Sequence, residues 1–80
     1  MILVLIAMIK VTLKAKPKGV KHQYLYDNVT TQYIHHMEMY NATQDDIDAI
    51  HQNIDRALLH MMRHDMIDVF NKRVTSVKEG

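Results

Sequence analysis

The chain opens on MILVLIAMIK, nine apolar side chains and then a lysine. From Met8 the pattern alternates: Ile9, Val11 and Leu13 are separated by Lys10, Thr12 and Lys14. Period two with β-branched residues predicts a strand with one buried and one wetted face. Lys16-Pro17-Lys18-Gly19 predicts a tight turn, because proline presets φ at the second position and glycine tolerates the exit conformation. A returning strand is expected over residues 20–26, with a further turn at Asp27-Asn28. A third strand over 29–41 would turn Tyr33, Met37 and Met39 one way and Ile34, His36, Glu38 and Tyr40 the other.

The next segment reads as a helix. Thr43 followed three positions later by Asp46 is a capping-box start, with Asp45 and Asp46 where a helix dipole favours negative charge. Ile47, Ile50, Ile54, Ala57, Leu58 and Met61 then form one stripe, as a helix lying on a sheet requires. A last strand is predicted over 67–77, its alternation slipping near Asn71 where a bulge is expected. The expected fold is α+β: a small, mainly antiparallel sheet in β-β-β-α-β order, with one amphipathic helix packed on one face. Eighty residues make a single domain over 1–80.

The opening run does not fit that scheme easily. A strand from Ile2 to Lys16 would be about 50 Å long, whereas a domain of this size is about 30 Å across. Three outcomes are open: the strand bends within its own subunit, Ile2, Leu3, Val4, Leu5 and Ile6 pair with a second copy, or the run waits for another protein. Self-association into a homodimer is the favoured expectation, because an exposed apolar edge aggregates unless something occupies it. The run lacks a basic segment before it and a small-residue cleavage site after it, and falls short of the roughly 20 apolar residues of a membrane span. A cytoplasmic protein without a membrane segment is therefore expected.

Composition changes the picture in two ways. Cysteine is absent, which removes disulfides, thiolate metal sites and a cysteine nucleophile together. The net charge of +1 conceals segregation. Lys10, Lys14, Lys16, Lys18 and Lys21 come before any acid, Asp27 to Asp68 hold eight acids against Arg56 and Arg63, and Lys72, Arg73 and Lys78 follow against Glu79. A basic side and an acidic side are expected, and such a dipole steers partners.

Candidate chemistry is sparse. His60 and His64 have the i, i+4 spacing of a helical zinc pair, but Met61 stands where the HExxH motif needs its glutamate, and no third ligand is specified. His35 and His36 would point to opposite faces of a strand. Ser76 is the only serine, and with only Gly19 and Gly80 there is no phosphate-cradling loop. No catalytic residue, cofactor or metal is assigned. Lys10, Lys14, Lys16, Lys18 and Lys21, near Tyr24, Tyr26 or Tyr40, offer phosphate neutralisation beside stacking surfaces, as binders of single-stranded nucleic acid do.

The leading expectation is a non-enzymatic protein-interaction module with an unidentified protein partner. In size and layout the chain looks like the accessory inhibitors encoded by bacteriophages and mobile elements, which implies a host or defence protein as target. Nucleic-acid binding through the lysine strip is the first alternative, and histidine-dependent metal binding the second.

Overall fold

Leu5, Ile6, Ile9, Thr12 and Leu13 are all buried, and their three- and four-residue spacings put them on one face of helix α1, Ile2–Lys14. This is the opening element of the computed structural model, which describes residues 2–77. Met1, Gly80 and the C-terminal charges Lys78 and Glu79 lie outside the described residues. The helix stops ahead of Pro17. There the Gly19 N–H donates to the Lys16 carbonyl at 2.8 Å and closes the predicted turn. Gly19 has φ +85°, and a Cβ there would stand 2.5 Å from Thr75 Oγ1 and 2.7 Å from the Val74 carbonyl oxygen. Only glycine meets both conditions without strain.

Strand β1, Val20–Lys21, runs directly into α2, His22–His36, which buries Leu25, Val29, Thr30 and Tyr33. A loop leads to α3, Gln44–Arg63, which buries Ile50, Ile54, Ala57, Leu58 and Met61. Both helices end in the same way. The N–H of Met39 reaches the Ile34 carbonyl and that of Glu38 the His35 carbonyl; Met66 and Asp65 repeat this with Met61 and Met62. Glu38 and Asp65 take the left-handed position, each at φ 54°. These are Schellman endings without the usual glycine.

Strands β2, Ile67–Phe70, and β3, Arg73–Ser76, form a hairpin whose two turn residues, Asn71 and Lys72, have φ 52° and 61°. Two positive φ values give the primed turn whose twist matches the flanking strands. The antiparallel sheet has the order β1-β3-β2, with Val20 opposite Val74 and Val74 opposite Val69. Val20 and Val74 join Leu5, Ile9, Leu13, Leu25, Val29, Ile54 and Met61 in one core.

The α+β class stands, as do α3 and the turn at 16–19. The β-β-β-α-β order and the single helix are corrected: the chain runs α-β-α-α-β-β, and segments read as the first three strands are mostly helical. In place of one bulged final strand there is a hairpin.

The strand-pairing expectation is corrected too. Coiled at 1.5 Å per residue, α1 is only about 20 Å long. Leu5 and Ile6 lie in their own subunit's core with Ile2 and Val4 packed against it, while Leu3 is 81% exposed. Among the described residues no helix is long and apolar enough to cross a membrane.

Candidate functional site

The short sheet brings together residues more than fifty positions apart. Lys21 on β1 is paired with Arg73 on β3, and Arg73 is paired in turn with Phe70 on β2. Residues directly opposite across strands share a face. Since Val20, Val74 and Val69 turn inward, Lys21, Arg73 and Phe70 form a row across the outer face, spanning about 10 Å at the usual strand spacing. Lys72 stands beside the row at the hairpin turn. Like charges placed directly opposite one another destabilise a sheet, so the Lys21–Arg73 pair has a local cost.

This row borders a cleft of about 740 Å³ lined by Lys21, His22, Gln23, Tyr26, Phe70, Asn71, Lys72 and Arg73, with no acid in its wall. A second hollow of about 300 Å³, walled by Lys16, Gly19, Val20, Lys21, Tyr24 and Arg73, shares Lys21 and Arg73 with it. The two hollows, divided by Lys21 and Arg73, together form a basic surface region, the groove. Arg73 is held in place: its Nε donates to the Lys18 carbonyl and its Nη2 to the Gly19 carbonyl, each at 3.3 Å. Tyr26 is held by tilted contacts with His22 at 4.6 Å and His51 of α3 at 5.3 Å between ring centroids. Lys16 Nζ lies 5.9 Å from the centre of the Tyr24 ring.

The start of α2 adds to this field. Its N-cap, Lys21, makes no side-chain capping bond, and no acid stands in its first turn. The His22 N–H is taken by the Lys72 carbonyl at 2.8 Å. The positive end of the α2 dipole therefore adds to the charges of Lys21, Lys72 and Arg73. Two acids bound the region: Asp68, opposite Thr75 on the sheet, and Asp27, which accepts from Gln23 Nε2 at 3.0 Å.

The predicted lysine strip divides. Lys16 and Lys21 line the groove and Lys18 is exposed on its turn. Lys10 and Lys14, one helical turn apart on α1, border a separate hollow of about 390 Å³ that includes His64 and Asp65. Of the tyrosines, Tyr24 and Tyr26 line the groove system, whereas Tyr40 sits beyond α2 with its ring 6.4 Å from that of His35. The rings of His60 and His64 lie 4.4 Å apart. Among the described residues no three histidine, cysteine, aspartate or glutamate side chains gather to hold a metal ion.

Lys72, Arg73, Phe70 and His22 are groove residues that sequence reasoning missed. Asn71-Lys72 between two β-rich runs carries only half of the usual hairpin signal, Asn without the glycine that normally follows it. Comparison of the chain with protein-family models, curated proteins and solved structures finds no match.

Proposed function

We propose that this chain is a non-enzymatic binding module that holds nucleic acid in the basic groove beside its hairpin. One observation carries the reading: Lys21, Arg73 and Phe70 stand in a row, flanked by Lys72 and Lys16, in walls without an acid. Clustered cations neutralise phosphates, and the neighbouring aromatic faces give bases a place to rest.

The test is fluorescence anisotropy with labelled oligonucleotides across a salt series. Four groove cations predict a slope of about −3 in log K against log salt. Lys16→Glu with Lys72→Glu is expected to weaken binding more than about tenfold while thermal unfolding is unchanged, since both side chains are exposed. No binding at low salt, or binding indifferent to salt and to these reversals, would retire the proposal.

A second reading keeps the chain as a self-associating protein-interaction module, with a host or defence protein as one candidate target. The observation favouring it is the outer stripe of α1, where Leu3 and Val11 are 81% and 64% exposed with Ala7 between them. A dimer in solution that Leu3→Lys with Val11→Lys converts to monomer would favour this reading.

A further inference from the structure

Phe70 is the least expected side chain of the groove. It is 80% exposed at the end of β2, and its partner across the sheet is Arg73, whose own partner is Lys21. An apolar protein surface that covered the phenyl ring would also have to desolvate those two cations, which is costly without counter-charges. A nucleotide meets both needs, with a π-face for the ring and a phosphate for the guanidinium.

From this we infer that the groove selects single-stranded over double-stranded nucleic acid, with Phe70 as the stacking platform; the inference rests on the reading proposed above. Two further observations agree with it. Base faces are already stacked inside a duplex and become available in single strands, loops and ends. The outer face of α3, the longest helix, is acidic as far as Asp55. Asp45, Asp48 and Asp55 are exposed there, and no lysine or arginine precedes Arg56. Those carboxylates repel a duplex backbone.

The experiment measures anisotropy of labelled oligo-dT, oligo-U and a mixed-sequence duplex of equal length at one fixed salt concentration. Wild type, Phe70→Ala, Phe70→Trp and the Lys16→Glu, Lys72→Glu double variant are compared. Single strands should bind more tightly than duplex. Phe70→Ala should lose about tenfold on single strands and nothing on duplex, while Phe70→Trp retains affinity. Thermal unfolding of Phe70→Ala is expected to match wild type, so the loss reads as a lost contact. Duplex binding as tight as single-strand binding, or a silent Phe70→Ala beside a weakened lysine variant, overturns the single-strand assignment alone. Absence of binding to all three probes overturns the nucleic-acid reading and this inference with it.

Discussion

Helices α2 and α3 begin in opposite ways. Helix α3 starts on a reciprocal box: Thr43 Oγ1 accepts from the Asp46 N–H at 3.2 Å, and the Thr43 N–H donates to Asp46 Oδ2 at 3.0 Å. Helix α2 starts on Lys21, without a capping side chain or an acid in its first turn. Its start is held from outside, by the pairing of β1 with β3 and by the Lys72 carbonyl. A capping carboxylate at that end would put negative oxygen beside the groove, where it would repel phosphate. The contrast teaches that α3 is specified by its own residues, whereas α2 depends on the sheet and leaves its positive end without a carboxylate beside the candidate site.

The strongest challenge to this contrast is to disturb the anchor of α2. Gly19→Ala adds a Cβ against Thr75 and the Val74 carbonyl at a left-handed φ. It is expected to cost about 3 kcal/mol, from backbone conformation and overpacking together. Denaturant unfolding checks this, and a loss below about 1 kcal/mol would mean that the contact between turn and sheet yields easily. Next in size is Thr43→Ala, which removes the α3 box and should destabilise by about 1 kcal/mol. Binding by the groove, which lacks α3's first turn, should stay as it was. The smallest effect sharpens the comparison most. Lys21→Ser gives α2 the cap it lacks and removes the like-charge pair with Arg73, so stability should rise by about 0.5 kcal/mol. Oligonucleotide affinity should fall several-fold in the same protein because one phosphate contact is lost. A variant with unchanged affinity would take Lys21 out of the site.

The same contrast explains what could be read along the chain. Ile9 and Leu13 lie four apart, a spacing that suits both a strand of period two and a helical face. Val11 separates the two: an alternating strand buries it with them, and here it is 64% exposed. The apolar run before it has no phase to read. In α2, Val29, Thr30 and Tyr33 favour strands, and Asp27-Asn28 reads as a turn. Within the folded helix these polar residues are absorbed by bonds one turn away, Gln23 to Asp27 at 3.0 Å and Gln32 to Asn28 at 2.6 Å. Gln32 also donates to Thr12 Oγ1 at 2.9 Å, a tie between α2 and α1 that neither segment announces alone. The hydroxyl of Thr30 is buried without a partner, a further local cost borne by α2. Of the groove, Lys16, Lys21, Tyr24 and Tyr26 stood out in the sequence as basic and aromatic neighbours. Phe70, Lys72 and Arg73 did not, because pairing brings them to β1 from fifty residues away.

The residues by themselves determined the turn at 16–19, the start and buried stripe of α3, and the segregation of charge along the chain. The turn and the helix start rest on bonds within a few positions, so a local pattern suffices, whereas the close fit of Gly19 to Thr75 and Val74 is tertiary. Tertiary structure decided that the apolar opening coils into α1, that α2 is a helix in spite of its strand-forming residues, and that Lys21, Arg73 and Phe70 meet on one face. Those outcomes depend on which surface covers which, and burial against α3 and pairing across β3 are long-range choices that no short window contains.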